Sequence, residues 1–288
     1  MNVAHDPGEL ERRPRAVAIG TFDGVHRGHQ AVVRAAVDAG LTGTVVTFDP
    51  HPRTVLGRPV AMLSTLERRL ELLDACGIDE TLVVPFTEEV AALEPELFAR
   101  EFLLAIGTEV AVAGAGFRFG RGRSGDLDLL RTLDIDARTV PLVEGVSSSR
   151  IRDLAAAGDV GDAAKLLGRA LEVEGEVVGG DRRGTALGFP TANLAVPADL
   201  LVPAFGIYAG AVADSRAAVS IGTNPHFGGE ELRIEVFLLD WSGDLYGNRL
   251  VVELWRKLRD ERTFASDDEL VAQIARDVEE TRAASRPV

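Results

Sequence analysis

The sequence has one cysteine in 288 residues, so no intrachain disulfide can staple it. Cys76 lies in the apolar run LELLDACG and reads as a small buried hydrophobe rather than a reactive thiol. No run of about 18 apolar residues occurs, which excludes a hydrophobic helix long enough to span a bilayer. The N-terminus MNVAHDPGELERRPR is mixed in charge and lacks the apolar core of a secretory signal, so cytoplasmic residence is the expectation. Repeats and low-complexity tracts are missing as well. Positive charge is scarce: 31 Lys and Arg against 45 Asp and Glu leave a net charge of −14. That balance argues against a general polyanion-binding surface, whose affinity comes from cations neutralising phosphates. Neither nucleic acid nor membrane is therefore expected as a partner. A mononucleotide substrate stays open, because a few cations and backbone N–H groups converging locally suffice to bind one.

What is present is ordinary globular material, 46% hydrophobic and 26% charged, with a mean hydropathy of +0.08. At about 150 residues per domain the length fits two domains. In the first half, RAVAIG, TGTVVTF, ETLVVPF, TEVAVAG and ARTVPLV are short β-branched runs of the kind buried in parallel sheets. Between them lie the amphipathic patterns HQAVVRAAVDAG, STLERRLELLDACG and PELFAREFLLAIG. The second carries a capping box from Ser64 to Glu67 and ends at Gly77; the third ends at Gly107. Strand and helix alternate, which predicts an α/β doubly wound parallel sheet, Rossmann-like, over residues 1–168. After Gly168 the period changes to two in LEVEGEVV, followed by GIYAGAVA, AAVSIGT, LRIEVFLLD and RLVVELWRKLR with little helix between. This predicts a small antiparallel β-barrel over 169–288. It closes with one helix, SDDELVAQIARDVEETRAA, opened by a second capping box from Ser266 to Glu269.

Two of the five histidines fall in AIGTFDGVHRGHQ, residues 18–30, where the first strand gives way to the first helix. In α/β proteins this carboxyl edge of the sheet is where ligands bind. Helix entry supplies unpaired N–H groups and the positive dipole end, and Gly24 and Gly28 permit close backbone approach. His26 and His29, at i and i+3, would project on one side and could grip a phosphoryl group through their Nε2–H groups. A capped turn with two satisfied surface histidines is the bland alternative for an H-x-x-H pair.

The string from Gly20, Thr21, Phe22, Asp23 and Gly24 through His26, Gly28 and His29 resembles the signature of the nucleotidyltransferase superfamily. In that superfamily the H-x-G-H histidines hold ATP phosphates during adenylyl transfer. Downstream, VSSSRIR resembles the superfamily's second element: Ser147, Ser148 and Ser149 supply hydroxyls at a helix start, and Arg152 suits a β- or γ-phosphate. In the second half, GDRRGTALGFPTANL, GIYAG, SIGTNPHFGG, RIEVFLLD and GDLYGNRL resemble the riboflavin kinase module. With both halves present, the chain resembles the prokaryotic bifunctional riboflavin kinase and FAD synthetase family from about residue 15 to residue 282.

The resemblance implies that the first domain adenylylates FMN with ATP, releasing pyrophosphate, and that the barrel phosphorylates riboflavin with ATP. Gly180, Arg183, Gly184, Gly188 and Pro190 would then form a loop over ATP phosphates. Thr191 and Asn193 would be the oxygen ligands of Mg²⁺, which favours such donors. Glu235, standing in an apolar strand, would be the base that takes the riboflavin 5′-hydroxyl proton; alternation with Ile234 and Val236 could equally place it on the solvent side. An attacking alcohol needs a base, whereas FMN's phosphate is already largely deprotonated, its second pKa being about 6. Adenylyl transfer instead needs aligned anions and charge neutralisation, which assigns His26 and His29 to phosphate binding rather than proton transfer.

Phe117, Arg118 and Phe119 in GAGFRFGRGRSGD resemble the family's flavin-side loop, and Asn224 is assigned to the flavin on the kinase side. Here the sequence departs from the family, with Gly116 where Asn or Asp is expected and a short segment between Asp126 and Ser147. Reduced but not absent adenylylation is the expectation. His51 in FDPHP is either a further element near the nucleotide or a turn residue held between prolines. Trp241 and Trp255 are candidates for stacking on isoalloxazine, or plain core and rim residues. Two other readings remain: a riboflavin kinase whose first domain has decayed, and a non-catalytic flavin-binding regulator. Retention of Glu235, Thr191 and Asn193 speaks against the regulator. Oligomeric state is not encoded in any motif.

Overall fold

Every residue of Arg15–Ile19 is buried, with alternate side chains sent to opposite faces of a sheet. Ala16 and Ala18 enter one apolar cluster, Val17 and Ile19 another. That double burial is why the strand reads as a continuous apolar run. The computed structural model describes residues 1–180, 188–223 and 232–288. Contacts divide the chain into one unit of Met1–Ala61 with Leu66–Ser147 and a second of Met62–Thr65 with Ser148–Val288.

The first unit contains β1 (Asn2–Ala4), β2 (Arg15–Ile19), α1 (Arg27–Val37), β3 (Thr42–Asp49), α2 (Pro52–Val55), α3 (Leu66–Ala75), β4 (Glu80–Pro85), α4 (Glu88–Ala92), α5 (Pro95–Phe98), β5 (Thr108–Gly114), α6 (Leu127–Thr132) and β6 (Asp136–Val140). The six strands form one sheet in the order β1-β4-β3-β2-β5-β6, and all the pairings are parallel. The doubly wound sheet is as expected, and its direction of winding reverses at β2, between β3 and β5. The loop leaving β2 therefore opens at the topological switch point, where α/β sheets leave a crevice. On one face α1 contributes Val32, Val33 and Ala36 and α3 contributes Leu73. On the other, Phe98, Leu103, Leu127 and Leu130 cover Ile19, Phe48 and Val84.

Two features differ from the sequence reading. β1 lies in the charge-mixed N-terminus and pairs Asn2 to Glu80 at the sheet edge; three residues are too few to show a period. The pattern PELFAREFLLAIG is not one regular helix, because α5 runs on into a π-helical turn over Ala99–Leu104.

The second unit holds α7 (Ser148–Ala157), α8 (Val160–Leu167), β7 (Leu171–Val178), β8 (Ala192–Ala195), β9 (Gly206–Val212), β10 (Ser215–Thr223), β11 (Leu232–Leu238), β12 (Arg249–Arg259) and a C-terminal helix, Asp267–Ala283. Its strands close into the barrel β10-β11-β8-β7-β12-β9, antiparallel throughout. Val173, Leu194, Tyr208, Val219, Ile221, Ile234, Val236 and Val252 fill its interior, and Ile151, Leu154, Val160 and Leu167 from α7 and α8 join the same core. Those two helices thus cluster with the barrel, while Gly168 is the left-handed cap at which α8 ends. At the C-terminal helix Ser266 caps the Glu269 N–H at 3.3 Å, but Glu269 reaches back to the Ala265 N–H at 3.2 Å, one residue before the expected partner.

Candidate active sites

The loop from β2 to α1 is wound tightly. Phe22, Gly24 and Val25 take φ of 49°, 77° and 40°, a left-handed region that a β-branched residue such as Val25 rarely occupies. Burial of Phe22 and Val25, each 1% exposed, holds them there. His26 is the N-cap of α1: its Nδ1 accepts the His29 N–H at 3.2 Å. Accepting at Nδ1 leaves the ring proton on Nε2, which is thereby a donor. A Cβ at Gly28 would come within 3.2 Å of the His26 ring, so the missing side chain lets the ring fold over the helix start. His26 and His29 stack at 3.6 Å with ring planes 13° apart, and Phe22 meets His29 edge-on at 5.3 Å.

Burial, with His26 and the Arg69 guanidinium alongside opposing a charge on the ring, holds His29 well below the usual imidazole range, so the ring is neutral at pH 7. Its Nδ1 is buried with no hydrogen-bond partner among the described residues. Asp23, in the same loop, is buried and lies within the field of Arg69. The sequence reading did not include Arg69, which is 1% exposed beneath this loop. The only sequence signal was a basic residue four positions before Leu73, on the buried face of α3.

The other expected residues of the first unit have varied surroundings. His51 caps the four-residue α2, its Nδ1 accepting the Arg53 N–H at 3.1 Å. Phe119 is a core residue beside Phe98, its backbone paired both ways with Gly125, and Phe117 stacks on it at 5.7 Å. Arg118 is held by Asp126 at 2.8 Å. Gly116 has φ of 79° with open space where a Cβ would be. Half-buried Cys76 packs against the α1-side core. In the second unit Ser148 and Ser149 open α7, Ser147 precedes it, and Arg152 follows one turn later.

On the barrel, Asn193 of β8 and Glu235 of β11 are direct cross-strand partners, with Ser220 of β10 next in the same row. Ile234, Val236 and Leu238 point into the core, so Glu235 lies on the outer face with Arg233, whose Nη1 is 3.4 Å from it. Of the two placements the sequence left open, the carboxylate takes the solvent side. Gly180 presses against the Asn193 amide so closely that a Cβ there would overlap it. Gly188 turns left-handed at φ of 88°, and Phe189 meets Phe237 edge-on at 5.5 Å. Pro190 and Thr191 lead into β8. Arg183, Gly184 and Asn224 lie outside the described residues. Trp255 is a core residue, its Nε1 donating to Glu253 at 2.8 Å and its ring covered by Arg216; Trp241 is exposed.

A riboflavin kinase family model matches residues 167–285, and an FAD synthetase model matches residues 9–151. A bifunctional riboflavin kinase/FMN adenylyltransferase of Listeria monocytogenes is 35% identical, over 93% of this chain and 92% of its own length. The corresponding protein of Escherichia coli K12 is 36% identical, over 95% of this chain and 93% of its own. A solved structure described as a macrolide-efflux protein from Streptococcus pneumoniae superposes with a TM-score of 0.88 at 33% identity, covering 98% of this chain and 99% of that one. Among the described residues no helix is long and apolar enough to cross a membrane.

Proposed function

The chain belongs to the bifunctional riboflavin kinase/FMN adenylyltransferase family, and we propose that the residues described above divide its two reactions, with adenylylation assigned to residues 1–168 and phosphorylation to 169–288. As a member it phosphorylates riboflavin with ATP to give FMN and adenylylates FMN with ATP to give FAD. The reading of a kinase with a decayed first half is not favoured, since both halves match.

In the kinase half the carrying observation is the cross-strand pairing of Asn193 with Glu235. Directly opposed residues share a face, with Cβ atoms about 5 Å apart. A base and a metal-binding amide are thereby set side by side on rigid strands rather than on a loop. Glu235 accepts the 5′-hydroxyl proton as the riboflavin oxygen bonds to the γ-phosphorus, and ADP leaves.

The family's reactions use ATP with a divalent metal, and we assign Mg²⁺. No group of three or more His, Cys, Asp or Glu among the described residues could hold a metal ion. The neutral oxygens of Thr191 and Asn193, with nucleotide phosphates and water, are a donor set that suits a hard cation retaining part of its hydration. When bound, the ion neutralises charge on the transferring phosphoryl group. Gly180, Arg183, Gly184, Gly188 and Pro190 are assigned to ATP phosphates and Asn224 to the flavin.

In the other half an FMN phosphate oxygen attacks the ATP α-phosphorus and pyrophosphate departs. The Nε2–H that the cap fixes on His26 donates to phosphate, with neutral His29 stacked beside it. Gly20, Thr21, Phe22, Asp23, Gly24 and Gly28 shape that turn. Ser147, Ser148, Ser149 and Arg152 are assigned to the leaving phosphates, and Phe117, Arg118 and Phe119 to the flavin side.

A time course with riboflavin, ATP and Mg²⁺, separating riboflavin, FMN and FAD by chromatography, tests the division. The expected record is FMN first and FAD second, with His29→Ala abolishing only FAD, and with Glu235→Ala abolishing FMN formation while still making FAD from supplied FMN. Loss of FMN formation in His29→Ala, or of FAD formation from supplied FMN in Glu235→Ala, would contradict two separate sets of residues.

A further inference from the structure

Arg69 is a cation with almost no contact with water, 1% exposed at the buried face of α3. Burying a guanidinium is costly, and an apolar residue of similar volume would stabilise the fold as well or better. Its partners show what the charge is used for. One nitrogen, Nη1, donates to the carbonyl of Phe48 at 3.0 Å and to the carbonyl of Thr21 at 3.3 Å, and lies 3.4 Å from Thr47 Oγ1. Thr47 Oγ1 itself donates to the Thr21 carbonyl at 3.1 Å. Thr21 lies in the tightly wound loop after β2, and Phe48 lies near the end of β3. The same guanidinium faces Asp49 at 3.7 Å and feels the field of Asp23. Its Nε has no hydrogen-bond partner among the described residues, so the side chain is held by one end, the end turned toward the loop.

We propose that Arg69 is a positioning residue for adenylyl transfer, clamping the Thr21 and Phe48 carbonyls together so that the loop after β2 presents the His26–His29 stack in one fixed place. The inference rests on the assignment of that histidine pair to adenylylation. Loop conformations with φ near 40° at Val25 do not persist on local preference. A buried fork that binds the loop's own carbonyl supplies the restraint at the point where the chain leaves the sheet.

The cation also acts across space. His29 is faced by His26 from its own helix cap and by Arg69 from α3, both opposing a charge on its ring, while Asp23 and Asp49 face Arg69. Removing the guanidinium lets His29 protonate at higher pH. If neutral His29 is the working form, the acid side of the FAD-forming pH profile moves to higher pH when Arg69 loses its charge.

The test compares Arg69→Met and Arg69→Lys with wild type and His29→Ala in the full-length enzyme. It measures FAD formation from FMN and ATP across pH, with riboflavin phosphorylation as the internal control. Misplacement of about 1 Å costs on the order of a hundredfold in rate, so Arg69→Met is expected to lower FAD formation by about that factor, with phosphorylation unchanged. Its acid limb moves to higher pH; Arg69→Lys, which keeps the charge, restores the limb to its wild-type position. Wild-type FAD kinetics and acid limb in Arg69→Met, with His29→Ala inactive, would overturn the inference and leave the histidine assignment standing. A rate loss with an unmoved acid limb would reduce Arg69 to packing and also overturn it. Full FAD formation by His29→Ala would instead sink the assignment beneath it. If Arg69→Met shows no cooperative unfolding transition, Arg69→Lys decides: a loss of about tenfold or more in FAD formation alone supports the clamp, and an unchanged rate refutes it.

Discussion

Asn193 and Glu235 face each other across adjacent antiparallel strands of the barrel, on its outer side. A one-residue slip of β8 against β11 would put one of them in the apolar core, so the register that buries Leu194, Ile234 and Val236 also sets the two proposed kinase residues side by side.

Glu235→Gln keeps the shape and removes the base. General-base catalysis is worth about 10²- to 10⁴-fold, so riboflavin phosphorylation should fall by that order while ATP binding and FAD formation from added FMN persist. Steady-state kinetics with each substrate, plus nucleotide binding by calorimetry, check it. A large rise in ATP KM at near-normal kcat would remove Glu235 from the base role.

Gly180→Ala tests the packing that holds Asn193. The added methyl would overlap the Asn193 amide, a short side chain that can yield only by rotating away from its place beside Glu235. Phosphorylation is expected to fall by about tenfold or more, the size of one lost ligand interaction of about 1.5 kcal/mol or above. In an Asn193→Ala background the same methyl should cause little further loss, because the group it displaces is gone. Additive losses in the double variant would show that Gly180 matters for another reason.

Much of this was legible before the fold was seen, and the reasons are specific. Parallel strands buried on both faces leave continuous apolar runs such as RAVAI and TVVTF, so most of the first sheet could be read directly. The motif around His26 and His29 is local: strand end, turn, cap and helix start lie within about a dozen residues. β1 and β8 were not legible, being three and four residues long and stabilised by distant partners. Arg69 was hidden for a related reason. Its partners Thr21, Phe48 and Asp49 lie on other elements, and in sequence it is one more arginine in the helical run LERRLELL. For Glu235 the sequence left two placements open, and the alternation of buried Ile234 and Val236 around it resolves them in favour of the outer face.

His29 should leave a mark on stability as well as on rate. Its folded pKa is depressed below the unfolded value of about 6.5, so above that pH both states carry a neutral ring and the native state loses nothing. As pH falls below about 6.5, the unfolded chain binds a proton that the native ring refuses until the lower folded pKa is reached. Across that window the native state loses up to about 1.4 kcal/mol per pH unit. Urea unfolding of wild type and His29→Gln from neutral to mildly acid pH should show the excess acid sensitivity in wild type alone. Parallel curves would mean that His29 is not held neutral by the fold.

Gly116→Asn addresses the departure in the flavin-side loop. The position has φ of 79° with no atom within reach of an added Cβ. Asn is among the few residues that tolerate this conformation, so the backbone need not change. The substitution adds a polar side chain where the family carries one, and a single new hydrogen bond is worth about 0.5–1.5 kcal/mol, or roughly two- to tenfold. FAD formation from FMN should rise within that range, with riboflavin phosphorylation and thermal unfolding unchanged. Gly116→Ala is the control: it introduces the same Cβ without polar atoms, strains the left-handed backbone, and should gain nothing. If Asn and Ala behave alike, the role in FMN binding proposed for this loop does not pass through this side chain, and the ion pair of Arg118 with Asp126 becomes the part of the loop to alter next.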